Sequence, residues 1–172
     1  MSDIQSFPPI AGPNARILIL GSIPGKASLD AGEYYAHPRN QFWPIIAELL
    51  QCGPLPDYAS KTQALLDANI AVWDVMQSCF RPGSLDAAIE KRSIIVNDFQ
   101  GFLADHPRIR YIFFNGATAE QAFKRLVLPG LTKPDICLQR LPSTSPAHAA
   151  WSLQQKLQSW SVITSGSNSV YI

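Results

Sequence analysis

Four short stretches hold most of the side chains and bare amides able to do chemistry. They are GSIPG at 21–25, YYAHPRNQFW at 34–43, FFNG at 113–116 and PSTSPAHA at 142–149. The second crowds aromatics, a histidine, an arginine and an asparagine into ten positions that suit neither a regular helix nor a strand. There, the flat ring of Tyr35 or Phe42 can stack on a nucleobase, and Asn40, both donor and acceptor, can orient a water or contact a substrate. Phe42 and Trp43 read rather as anchors that pin a loop to the core, and His37 before Pro38 as the cap of a turn. In GSIPG the glycines bracket a proline, so the amides of Gly21, Ser22 and Ile23 can meet an anion or a base edge, or simply form a rigid turn. The spacing matches neither a Walker phosphate loop nor a dinucleotide fingerprint. Asn115 can read the Watson–Crick edge of a base or cap the helix that follows. Ser143, Thr144 and Ser145 can offer hydroxyls and amides to a phosphate, or cap a helix.

Such residues work only if the fold brings them together, and the apolar runs show how. RILILG (16–21), IAVWDV (70–75), RYIFFNG (110–116) and DICLQRL (135–141) are apolar nearly throughout rather than at alternate positions. That is the pattern of strands buried on both faces. Helical segments are expected at 41–52, 60–68, 95–106, 117–127 and 147–160, with Asn97, Asp98 and Thr118 as caps or first-turn residues and Pro44 near a helix start. Strand and helix in alternation predict an α/β fold, a three-layer α/β/α sandwich around a central four-stranded parallel sheet. In such sheets ligands bind beyond the carboxyl ends of the strands, where GSIPG, the stretch after the second strand, FFNG and PSTSPAHA all lie.

Composition narrows the classes. The chain has 172 residues, 47% hydrophobic and 16% charged. This suits one domain spanning 1–172, with a proline-rich surface arm at 1–14 and a tail at 165–172. No stretch reaches the length of a membrane span and the start lacks the build of a signal peptide, so a cytoplasmic monomer is expected. Cys52, Cys79 and Cys137 show no metal-ligand spacing, and neither a metal nor a cofactor is expected. A formal charge of +1 excludes coating of nucleic acid by charge alone, but allows a local rim of cations such as Lys26, Arg39, Arg81, Lys91 or Arg92. DVMQSCFRPGSLD (74–86) can line a pocket, with Asp74 expected to pair with Arg81.

Taken in order, GSIPG, YYAHPRNQFW, FFNG and LPSTSPAH resemble the uracil-DNA glycosylase superfamily, and within it the deoxyinosine (hypoxanthine) glycosylase group. The resemblance spans about residues 16–160. It implies a flipped nucleotide, hydrolysis of its N-glycosidic bond and no cofactor, with damaged DNA, double-stranded or single-stranded, as partner. It further implies that Tyr35 stacks on the base, that Asn115 reads it with Gly21, Ser22, Ile23 and Phe42 around it, and that Asn40 carries catalysis. Lys26, His37, Arg39, Ser143, Thr144, Ser145 and His148 would face DNA. Two positions depart from the family: Ile23 stands where many members carry Asp or Asn, and Leu141 where many carry His or Asn. A domain binding a free nucleotide or a phosphorylated metabolite through GSIPG and PSTSP is the other reading of these loops.

Overall fold

The computed structural model describes residues 3–133 and 135–165. In chain order the elements begin with β1 (Asp3–Gln5), β2 (Ile17–Gly21), α1 (Lys26–Ala31), α2 (Phe42–Leu50) and α3 (Tyr58–Asp67). There follow β3 (Ile70–Asp74), β4 (Met76–Phe80), β5 (Ile95–Val96), α4 (Phe99–Asp105), β6 (Tyr111–Asn115) and α5 (Ala117–Leu126). The chain continues through β7 (Cys137–Leu141), α6 (Leu153–Trp160) and α7 (Val162–Ser165).

Four strands make a wholly parallel sheet in the order β3-β2-β6-β7, as the apolar runs predict. The central strand β2 is buried at all five positions, whereas the edge strand β7 buries only Leu141. Side chains alternate across the sheet. Leu18, Leu20, Ile112 and Phe114 therefore pack on one side with Phe99, Phe102 and Phe123 of α4 and α5. Ile17, Ile19, Val72 and Phe113 face the other, against Phe42, Ile45 and Ile46 of α2, Leu65 of α3 and Trp160 of α6. Each large apolar side chain so buried contributes roughly 1.5–3 kcal/mol. The result is the expected sandwich, its parallel sheet open at the carboxyl ends of the strands.

A second sheet was not expected. β1, β4 and β5 form an antiparallel ribbon, with Ile4 opposite Cys79. The opening segment, expected as a surface arm, is instead knit into the fold. Ile4 is buried, and Ile10 exchanges backbone hydrogen bonds with Val72 of 2.8 and 2.9 Å. The tail expected at 165–172 lies outside the described residues except for Ser165, which ends α7. Two helix starts also move. Residues 95–96 are extended, and α4 begins after Asp98, whose carboxylate accepts from the Gly101 amide at 3.0 Å. Ala147, Ala149 and Ala150 stay outside α6, which starts at a capping box made by Ser152 and Gln155. Thr118 falls in the first turn of α5, after Gly116 at the cap.

Candidate active site

All four chemistry-bearing loops converge on one cavity of about 880 Å³ at the carboxyl ends of the parallel strands. Gly21, Ser22, Tyr35, His37, Arg39, Asn40 and Asn115 line it, as do Ser143, Ser145, His148 and the GSIPG backbone through Lys26. The 74–86 segment contributes Asp74, Arg81, Ser84, Leu85 and Asp86 to the wall. The stretch 76–80 within that segment is a strand, β4, that carries the loop to the site.

The aromatic crowding at 34–43 now has a physical account. Tyr34, Phe42 and Trp43 are buried and pin the loop. The Tyr34 hydroxyl donates to the Pro8 carbonyl at 2.9 Å, and the Trp43 indole N–H donates to the Tyr34 carbonyl at 2.8 Å. Phe42 stacks under Tyr35, with ring centroids 4.0 Å apart and an interplanar angle of 25°. Phe42 is wholly buried, so the expected contact with a base is corrected: it supports Tyr35, and Tyr35 lines the cavity. Tyr35 holds a left-handed backbone, φ 54°, a conformation that costs a non-glycine residue of order 1–3 kcal/mol.

Gly21 makes this placement possible. A Cβ there would lie 2.5 Å from Asp74 Oδ1 and 3.0 Å from the Tyr35 hydroxyl. Both oxygens crowd the space a side chain would fill. The Tyr35 hydroxyl is buried without a hydrogen-bond partner, and the Asn115 amide lies beside it without completing one. Asp74 Oδ2 is likewise buried and unpartnered. The ion pair expected between Asp74 and Arg81 does not form, because the guanidinium turns to backbone carbonyls. Its Nη2 donates to Pro24 O at 2.7 Å and its Nε to Gly83 O at 3.0 Å. Loss of water on burial, with the Asp86 charge adding to it, pushes the Asp74 carboxyl up to about 7, although Arg81 opposes the shift. Burial and the Asp74 charge also raise the Tyr35 hydroxyl.

Asn115 and Thr144 lock two loops together. Asn115 Nδ2 donates to Thr144 Oγ1 and the Thr144 amide donates to Asn115 Oδ1, each at 2.9 Å. Thr144 is completely buried, which corrects its expected contact with DNA: it orients Asn115. Held in this way, Asn115 lines the cavity. Gly116, at φ 94°, turns the chain into α5 against Ser143, whose Cβ would stand 3.1 Å from an added Cβ. The following loop is held at both ends by α6. The Trp160 indole donates to Pro142 O at 2.9 Å, and the Lys156 ammonium to His148 O at 3.0 Å.

Asn40 closes a short turn, its Oδ1 accepting the Phe42 amide at 2.9 Å while its N–H groups remain for a ligand. His37 Nδ1 accepts the Arg39 amide at 3.0 Å, the turn-capping alternative. Among the cations, Lys26 is engaged with Asp30 at 2.6 Å and Arg39 stands at the cavity. Arg81 is fully buried and cannot meet a phosphate, correcting its place on the cationic rim. The Ile23 side chain packs into the core, so only its backbone serves the cavity wall. The residue that sequence reasoning missed is Asp86, a lone aspartate in a polar loop with no motif around it. Its Oδ2 accepts the Ser22 hydroxyl at 2.9 Å.

Residues 8–163 match the family model of the uracil DNA glycosylase superfamily. A hypoxanthine DNA glycosylase of Methanosarcina barkeri is 38% identical over 116 residues, 65% of this chain and 70% of that protein. One of Methanosarcina acetivorans is 37% identical over 117 residues, 67% of this chain and 72% of that protein. A candidate uracil DNA glycosylase from Methanosarcina acetivorans, solved by solution NMR, superposes with a TM-score of 0.74 at 31% identity, covering 94% of this chain and 96% of that one. The chain belongs to the uracil DNA glycosylase superfamily, and it is a DNA glycosylase.

Proposed function

We propose that the enzyme removes a deaminated base, hypoxanthine first and uracil or xanthine as alternatives, by hydrolysing the N-glycosidic bond of a nucleotide turned out of the DNA helix. The observation that carries this reading is the convergence of Tyr35, Asn40 and Asn115 on a single cavity, next to loops rich in hydroxyls. A base lying on the exposed face of Tyr35 is backed by Phe42, so the stack is already ordered before binding. Asn115, its amide oriented by Thr144, meets the edge of that base. Asn40 turns its N–H groups toward a water. Ser143, Ser145 and His148 receive the sugar–phosphate backbone, with Lys26, His37 and Arg39 across the opening. Extrusion costs a few kcal/mol and less at a mispair, so a deaminated base opposite its original partner is favoured.

Bond cleavage proceeds through a sugar of oxocarbenium character and needs no strong nucleophile. The hydrophobic Leu141 offers no donor to the departing base, so the enzyme lacks one electrophilic contact worth roughly 10²–10³ in rate. Duplex oligonucleotides carrying inosine, xanthine, uracil or a G·T mispair test the reading in parallel, with EDTA present. Release of free base and an alkali-labile site from the inosine duplex is the expected result. No release from any of the four would overturn it.

A further inference from the structure

Position 23 of the first motif is an apolar isoleucine buried in the core, and Asn40 is too weakly basic to take a proton from water. The cavity contains three carboxylates. Asp30 is held by Lys26 at 2.6 Å on an exposed part of α1. Asp74 is sealed under Tyr35, with its Oδ2 closed to solvent. Asp86 remains open to the cavity, and it is tied to Ser22, the residue directly before Ile23. Oδ2 makes that bond, and Thr118 at the start of α5 approaches the same carboxylate.

Resting on the glycosylase reading above, we infer that Asp86 supplies the carboxylate missing from the first motif and acts as general base on the attacking water. In the step, Asp86 Oδ1 accepts one proton from water as the water oxygen bonds to C1′ of the sugar. The N-glycosidic bond breaks and its electron pair leaves with the base, which solvent then protonates. Asn40 holds the water by its N–H, and Ser22 fixes the carboxylate. The acid thus arrives from the loop after β4 rather than from the strand end, which is why position 23 can be an apolar core residue.

The surroundings suit the role. Removal of water in the cavity wall raises the Asp86 carboxyl above its usual range, while the Ser22 hydroxyl, the Arg81 charge and Thr118 on α5 pull it down. Asp74 at the end of β3, the Tyr35 hydroxyl and the Cys79 thiol of β4 are the other titratable groups that feel its charge. A carboxylate whose pKa is raised is a better proton acceptor than an ordinary one.

Asp86→Asn tests this, because an amide oxygen still accepts from Ser22 and keeps the loop in place. Single-turnover release of base from the inosine duplex should fall at least 30-fold. Binding of a duplex carrying an uncleavable abasic-site analogue should stay within about threefold of wild type. The wild-type rate should climb tenfold per pH unit on the acid side and then level, and the variant should lose that limb. A variant within threefold of the wild-type rate, or one that keeps the acid limb, overturns the assignment. If the rate falls but analogue binding falls equally, Asp86 only shapes the loop and the inference also fails. A wild-type enzyme that releases no base from any duplex instead refutes the function on which the inference rests.

Discussion

At the residue scale, the site combines polar groups that are tied down with others left unsatisfied. Asn40 illustrates the first kind, with its carbonyl oxygen spent on the Phe42 amide and its N–H groups free. Asn40→Ala should lower base release by about 10²–10³ while costing only about 1 kcal/mol of stability through the lost turn hydrogen bond, read by single-turnover kinetics and thermal melting together. Asp74 illustrates the second kind. Its carboxyl is raised to about 7, so between about pH 4 and 7 the folded protein binds a proton that the unfolded chain releases. Stability must therefore fall as pH rises through that window, by up to about 4 kcal/mol, and level off above it. Asp74→Asn should remove most of the fall, leaving the smaller part owed to Asp86, which urea unfolding at pH 5 and pH 8.5 would register. Tyr35→Phe removes a buried, unpartnered hydroxyl and should leave melting temperature unchanged or higher, while Tyr35→Leu should weaken binding of the inosine duplex by roughly 1–3 kcal/mol.

At the scale of elements, the strand ends and α6 set the distances among these groups. Gly116→Ala forces a side chain into a left-handed backbone against Ser143. It should cost more activity than stability, as the Ser143 loop at the cavity shifts with it; duplex affinity against melting temperature gives the split. The elements differ in how plainly they were written in the chain. β2, β3 and β6 were legible because burial on both faces leaves almost no polar residue in ILILG, IAVW or YIFF. β1 and β4 were not. DIQ and MQSCF are short strands with exposed polar positions, stabilised by pairing with each other rather than by an apolar pattern. The start of α6 was overextended because Ala147, Ala149 and Ala150 favour a helix locally, although the Ser152–Gln155 box marked the true beginning. In the site, Tyr35, Asn40 and Asn115 could be found from order and type along the chain. That Phe42 and Thr144 serve those residues from beneath depends on burial, and the Asp86 contact with Ser22 spans 64 positions that no local pattern links.

At the scale of the whole molecule, the near balance of charge is as informative as any loop. A formal charge of +1 gives little general attraction to DNA, and few cations stand at the cavity. About three phosphates neutralised implies a slope of about −3 for the logarithm of affinity against the logarithm of salt concentration. Titrating duplex binding from low to moderate salt would check it, and a much steeper slope would mean a wider cationic surface than the cavity rim offers. On the function proposed above, affinity then comes largely from the extruded base and the loops around it, so undamaged DNA should be held weakly.

The grip of Trp160 and Lys156 on Pro142 and His148 has a consequence for biosynthesis. Every other part of the cavity is translated before α6, so a ribosome-bound chain already carries the sheet, the stacking ring and the asparagines but not the clamp that shapes its last loop. Competence toward DNA should arrive abruptly once this helix leaves the exit tunnel, sparing the cell a half-made enzyme attached to its genome.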